Sequence, residues 1–339
     1  MISLFSLCLL SLFSCILVGY LARKFNLVDR PDGIRKIHQG EVPLGGGIAI
    51  SLSLSIGFFF IFSINDFFVS SLLLCSLFIV IIGFYDDIKP LPISIRLITQ
   101  ILCSWGVIAF TDVYVTNLGN LFGLGEVYLG QLGIPLTIFM VVGVCNAFNM
   151  LDGMDGLVGS MSLFAFLSIL ILLLGSNHDA MWIFVLSIIL LIFLLFNLGL
   201  FGRRLKMFLG DSGATFLGFF LAWTLVYLSQ GEGTIIKPIS AVWLIALPLI
   251  DASTIFIIRL NKGKAIFSGD RNHIHHLLLD KGLSNWQVLL VLSIFNLVGC
   301  AVTLLSSFYL FQESNLFYGF LTIWIFYFLM RRYPLLRGN

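Results

Sequence analysis

Apolar runs long enough to cross the roughly 30 Å hydrocarbon core of a bilayer recur along the whole sequence. Eleven can be read, at about 2–22, 46–64, 68–84, 96–111, 132–149, 160–176, 181–200, 213–229, 238–258, 286–308 and 316–330. Gly-rich polar stretches interrupt the hydropathy and soften several boundaries. The pattern predicts an all-α fold, a polytopic transmembrane helical bundle of about 11 spans forming a single integral membrane domain over residues 1–339. The first run lacks a basic leader, and Arg23 and Lys24 follow it as a stop-transfer pair does. It therefore reads as a span rather than a cleaved signal.

Composition fits this picture: 59% of the residues are hydrophobic and 11% charged. A soluble chain of this length carries about a quarter charged residues, because its surface must be solvated. The net charge of +2 says little, but the placement of charge says much. When the loops between runs are numbered alternately, all of the 19 Lys and Arg residues except Lys237 fall in one set. The excess of positive charge marks the cytoplasmic side. The N-terminus is then periplasmic and the C-terminus cytoplasmic. The basic face should attract the bilayer's anionic headgroups and phosphorylated substrates. The six cysteines, Cys8, Cys15, Cys75, Cys103, Cys145 and Cys300, lie within apolar runs with no C-x-x-C pair. They read as small packing residues.

Unusual chemistry is confined to the basic side. Asp86-Asp87 closes the third run, and Asn146 to Gly156 (NAFNMLDGMDG) closes the fifth. Phe208 to Gly213 (FLGDSG) opens the eighth, and Asp270 to His276 (DRNHIHH) lies between the ninth and tenth. The first loop adds Asp29, Asp32, Lys36, His38 and the Gly45-Gly46-Gly47 run. Packed together, Asp86, Asp87, Asp152, Asp155 and Asp211 would repel one another unless a cation sat among them. Hard oxygen ligands suit Mg2+, with Mn2+ as a substitute. Magnesium commonly bridges carboxylates and substrate phosphates, which points to phosphoryl chemistry.

Each element also has a plainer reading. Asp86-Asp87 could be a solvated helix end, although adjacent acids do not share a helix face and so need different partners. Asn146, Asn149, Asp152 and Asp155 recur every three residues and make a drifting polar stripe if the helix continues, or a polar helix end with a glycine stop. Asp211 could cap the helix that follows it, or face a phosphate at that helix's N-terminus. His273, His275 and His276 beside Arg271 suit a phosphate clamp. Zinc is the rival, disfavoured because no cysteine lies in these loops. Asp251, inside the ninth run, is either functional or paired with Arg259 or a polar neighbour. Lys36 and His38 could be solvated or lipid-facing.

In their order, these blocks resemble the polyprenyl-phosphate N-acetylhexosamine-1-phosphate transferases, from about Arg23 to about Gly282. The runs VDRPDGIRKIHQGEVPLGGG and PISAVWLIALPLID are similar as well. The resemblance implies a bacterial inner-membrane, multi-pass enzyme working at the cytoplasmic face. It implies transfer of N-acetylglucosamine-1-phosphate from UDP-N-acetylglucosamine to undecaprenyl phosphate, with release of UMP. The product would start cell-surface polysaccharide synthesis of the O-antigen or enterobacterial common antigen type. By the same resemblance, Asp211 and Asn149 are metal ligands, and Asp86, Asp87, Asp152 and Asp155 are catalytic. Asp29, Lys36, Asn146, Asn149, Arg271, His273, His275 and His276 then bind substrate. No nucleic acid is expected as a partner, and a homodimer is allowed. Related transferases acting on another UDP-N-acetylhexosamine, including the muramoyl-pentapeptide type, are the rivals, and an ion-coupled transporter using Asp251 is a remote one. The transporter predicts polar residues near mid-membrane, whereas nearly all lie on one face.

Overall fold

The structure is a computed structural model and describes residues 4–30, 40–61, 67–176, 178–231, 234–263, 272–309 and 311–332. Among the described residues, every apolar run is helical over most of its length. The order is α1 (Leu4–Lys24), α2 (Gly46–Ile61), α3 (Phe67–Ile88), α4 (Ile93–Thr111), α5 (Gly133–Leu151), α6 (Leu157–Gly175) and α7 (Met181–Asn197). Then follow α8 (Gly210–Ser229), α9 (Pro238–Leu244), α10 (Ala246–Asn261), α11 (Ile274–Asp280), α12 (Asn285–Phe308) and α13 (Glu313–Arg332). Among the described residues, seven helices are long and apolar enough to cross a membrane, or up to eight if α9 and α10 make one span. Gly46–Phe60 and Met181–Asn197 are shorter apolar helices.

The run at 238–258 departs from the straight span read in the sequence. It is broken between α9 and α10 by a bend of 84°. Pro248 has no N–H to bond the carbonyl of Leu244, and its ring crowds that carbonyl. Leu244 is where α9 ends. A sharp kink at such a point has an identifiable cause rather than loose packing behind it.

Helix α8 is the axis of the bundle. All of its residues except Asp211 and Tyr227 are buried. A helix enclosed on every side must be apolar or small all round, and GDSGATFLGFFLAWTLVYLS meets that condition. Its threonine hydroxyls turn back onto the helix: Thr215 donates to the Asp211 carbonyl at 2.6 Å and Thr224 to that of Phe220 at 2.7 Å. Small residues let neighbouring backbones approach closely where lipid gives no hydrophobic drive. A Cβ on Gly47 of α2 would lie 2.4 Å from Gly213 N, and one on Gly83 of α3 would lie 2.5 Å from Ser212 Cα. The start of α8 is therefore wedged between α2 and α3.

Strands β1 (Val28–Asp29) and β2 (Val42–Pro43) pair antiparallel, with Val28 opposite Pro43 and Asp29 opposite Val42. They close the stem of the first loop. Phe208 N then donates to Pro43 O at 3.0 Å, and Gly46 N to Phe208 O at 3.0 Å. This stitches the first loop to the segment entering α8. At the far end of α8, the Gln230 amide oxygen accepts from Thr116 N at 2.9 Å and Asn117 N at 3.1 Å.

Candidate active site

Aspartates from α3, α8 and the turn after α5 converge at the N-terminal end of α8. Asp86 and Asp87, at the end of α3, do face different partners. Asp86 is buried and accepts from Leu91 N at 2.6 Å and from Arg96 Nη1 at 2.8 Å. Asp87 accepts from Asp211 N at 2.8 Å, Ser212 N at 3.3 Å and the Ser212 hydroxyl at 2.9 Å. A carboxylate from α3 thus satisfies two of the orphan N–H groups of α8. Asp211 does not cap its own helix, and its carboxylate is left to face the other acids. The same Arg96 Nη1 lies 3.5 Å from Asp211 Oδ2. One guanidinium from α4 therefore sits between the acids of α3 and α8.

The polar stripe of Asn146 to Asp155 does not run on as a helix. Helix α5 stops at Leu151, and Gly156, at φ 77°, starts α6. The four side chains consequently diverge. Asn146 donates to Gln100 Oε1 at 2.8 Å. Asn149 approaches the Asp211 carboxylate, and its buried Nδ2 makes no hydrogen bond. Burial first, then the charges of Asp211, Asp87 and Asp155, pushes the Asp152 carboxyl well above the usual carboxylate range. Asp155 pairs with Lys206, from the loop before α8. Asn197, at the end of α7, holds the turn: its Oδ1 accepts from Gly156 N at 2.6 Å and its Nδ2 donates to Met207 O at 2.9 Å.

The histidines meet this turn from the other side. His275 is fully buried, and a Cβ on Gly153 would lie 2.1 Å from its Nε2. Only glycine fits there. The His273 and His275 rings stack at 6.0 Å between centroids, and those of His275 and His276 lie 4.1 Å apart. His273 Nδ1 is 2.7 Å from Asp251 Oδ2. Asp251, left open in the sequence, is fully buried and holds this loop. Asp29 lies in β1, in the stem stitched to the entry of α8. Lys36 and Arg271 lie outside the described residues.

Beside the acids is a cavity of about 830 Å³ between α5, α8, α9, α10 and α13, lined by residues such as Val142, Met150, Leu225, Leu249, Phe256 and Phe320. Its wall is almost wholly apolar. Asn146 lies on that wall, and its partner Gln100 borders a small crevice lined by Asp86, Arg96, Asp211 and Thr215. That hydrogen bond links the wall of the apolar cavity to the crevice of the carboxylates.

Comparison with known proteins places this arrangement. The family described as glycosyl transferase family 4 matches residues 69–229. The undecaprenyl-phosphate alpha-N-acetylglucosaminyl 1-phosphate transferase of Escherichia coli (strain K12) is 40% identical over 291 residues, 84% of this chain and 76% of that protein. The protein of the same name from Haemophilus influenzae is 35% identical over 333 residues, 96% of this chain and 92% of that protein. That from Yersinia pestis is 38% identical over 275 residues, 80% of this chain and 75% of that protein.

The chain belongs to glycosyl transferase family 4.

The segment matched to family 4 runs from α3 to α8 and contains all five aspartates of the acid cluster, but not the histidine loop. Among the described residues, no group of three or more His, Cys, Asp or Glu side chains is spaced to hold a metal ion by itself. The donor set still fits a magnesium ion, which keeps several waters and is completed by substrate phosphates rather than by an all-protein cage. The burial and the neighbouring carboxylates that raise Asp152 mark a place short of positive charge.

Arg96, Gln100 and Lys206 were not singled out in the sequence. Arg96 begins the fourth apolar run there and counts as one more basic residue. Its distance from Asp86 spans Pro90 and Pro92, a turn that folds α4 back along α3. That turn was the available signal.

Proposed function

We propose that this chain transfers N-acetylglucosamine-1-phosphate from UDP-N-acetylglucosamine to undecaprenyl phosphate and releases UMP. The observation that carries the proposal is the meeting of Asp86, Asp87, Asp152 and Asp211 at the start of α8, with Arg96 between Asp86 and Asp211, next to an apolar cavity suited to an isoprenoid chain. The relatives' names give undecaprenyl phosphate and the N-acetylglucosaminyl 1-phosphate group. The protein is an inner-membrane enzyme of eleven spans, with α9 and α10 as one bent span. Its N-terminus is periplasmic, and its site is cytoplasmic, on the side of the basic loops. The whole chain is one domain.

Asp211 and Asn149 would hold Mg2+, or Mn2+ in its place. The ion supplies neutralisation of phosphate charge and Lewis-acid polarisation of the pyrophosphate. The apolar cavity takes the lipid tail and brings its phosphate to the Gln100–Asn146 boundary. A phosphate oxygen of the lipid attacks the phosphorus that bears the sugar. The bond from that phosphorus to the bridging oxygen breaks, and UMP leaves with that oxygen. Arg96 offsets the charge between the two anions and holds Asp86 in place. Asp87 fixes the start of α8. Asp152 and Asp155 border the turn against which the histidines rest. His273, His275 and His276 face the pyrophosphate; Arg271 is assigned to bind it too and Lys36 to bind phosphate, on the sequence resemblance alone. Direct attack is favoured over a phospho-aspartate, because the oxygens of Asp86 and Asp87 already accept from Arg96, Leu91 and the start of α8.

The test is transfer of radiolabel from UDP-N-acetylglucosamine into an extractable lipid by purified protein. Label should enter lipid only with undecaprenyl phosphate present, stop with EDTA and return with Mg2+. Asp211→Asn should lower the rate by at least about 100-fold, the scale expected when transition-state charge loses its stabilisation. Transfer that persists in EDTA, or robust turnover by Asp211→Asn, contradicts the metal assignment.

A further inference from the structure

We propose that α13 sets the position of the histidine loop, with Tyr327 as the positioning residue. The proposal rests on the reading that His273, His275 and His276 face the nucleotide sugar. A fully buried carboxylate must be matched by donors or it is costly. Asp251 on α10 has three: His273 Nδ1 at 2.7 Å, Ile274 N at 3.2 Å and the Tyr327 hydroxyl. Two of these belong to the loop and the first residue of α11, and the third to α13. The carboxylate therefore ties three elements at one point.

Helix α13 grips the same region on either side of that point. Trp324 Nε1 donates to Ser253 Oγ at 2.9 Å, two residues along from Asp251. Arg331 donates to the carbonyl of Asn272, next to His273. Positions 324, 327 and 331 are spaced by three and four, so they form one face of a helix. That face carries a ring N–H, a phenol and a guanidinium. All three are spent on α10 and the histidine loop.

The consequence reaches the site through His275. It lies against Gly153 in the turn that carries Asp152 and Asp155. A loop released from Asp251 loses its register with that turn. No sugar or phosphate needs to touch Tyr327 for its hydroxyl to matter; it acts through Asp251 and His273.

The experiment uses the full chain in nanodiscs and compares wild type with Tyr327→Phe and Lys237→Met. Lys237 donates to the Phe311 carbonyl at 2.9 Å and tethers the opposite end of α13. In Tyr327→Phe, KM for UDP-N-acetylglucosamine should rise about three- to tenfold, the effect of one lost hydrogen bond. KM for undecaprenyl phosphate should stay as in wild type, and amide hydrogen exchange across 272–280 should quicken. Lys237→Met should change neither quantity. The proposal is overturned if exchange at 272–280 is unaltered in Tyr327→Phe. It is also overturned if exchange quickens with both KM values unchanged, or if Lys237→Met does the same as Tyr327→Phe. Should wild-type protein transfer no sugar phosphate at all, the functional reading fails, and the exchange comparison alone judges whether α13 holds the loop.

Discussion

Arg96 is a single cation shared by two carboxylates from different helices, 2.8 Å from Asp86 and 3.5 Å from Asp211. Its side chain is about a quarter exposed and that of Asp86 is buried. Removing one partner of a buried ion pair is strongly unfavourable, by about 3–5 kcal/mol, because the other charge is left uncompensated. Arg96→Met should therefore lower the thermal midpoint, and, with the charge between the two anions no longer offset, should lower lipid-linked product formation at least about 100-fold. Arg96→Lys should fall between Met and wild type, since lysine keeps the charge but not the planar fork. Wild-type initial rates in Arg96→Met would show that the guanidinium is dispensable. The sequence could not single this residue out. Nothing in the local run around position 96 reveals that α4 folds back to deliver it to α3 and α8.

The element that organises the site is α8, and its two neighbouring aspartates act on it in opposite senses. Asp87 accepts from the start of the helix and interacts favourably with its positive end. Asp211 stands among other acids. In detergent without metal, Asp87→Ala should lower the thermal midpoint, since losing a helix cap costs about 0.5–2 kcal/mol. Asp211→Asn should leave the midpoint equal or higher, because it removes a like charge from the cluster. Equal losses in both variants would contradict these separate roles. The sequence read Asp211 as a possible cap because an Asp before an apolar run commonly is one. The cap instead comes from α3, through a contact spanning more than 100 residues of chain. The bend at α9–α10 is an intermediate case: Pro248 was visible, but an apolar run reads as continuous even where its hydrogen-bond ladder is cut.

At the scale of the molecule, the bundle places a lipid-sized apolar cavity beside the carboxylates, with Asn146 on its wall. Gly143 on α5 lines this cavity, and a Cβ there would meet nothing within 4 Å. Gly143→Leu should thus fold normally and occupy part of the space. KM for undecaprenyl phosphate should rise by about threefold or more, given roughly 1–3 kcal/mol for overpacked apolar sites, while KM for UDP-N-acetylglucosamine stays constant. An equal rise in both would place the lipid elsewhere. Local chemistry alone determined that the chain is a bundle of apolar helices and which polar blocks carry the acids and histidines. Hydropathy and charge act residue by residue against the membrane, so they are legible without a fold. Tertiary structure decided which acid pairs with Arg96, which one caps α8, why Asp251 holds His273, and where the cavity lies. Those outcomes depend on helix register and on close approaches at glycine, and such contacts join segments that no local pattern connects.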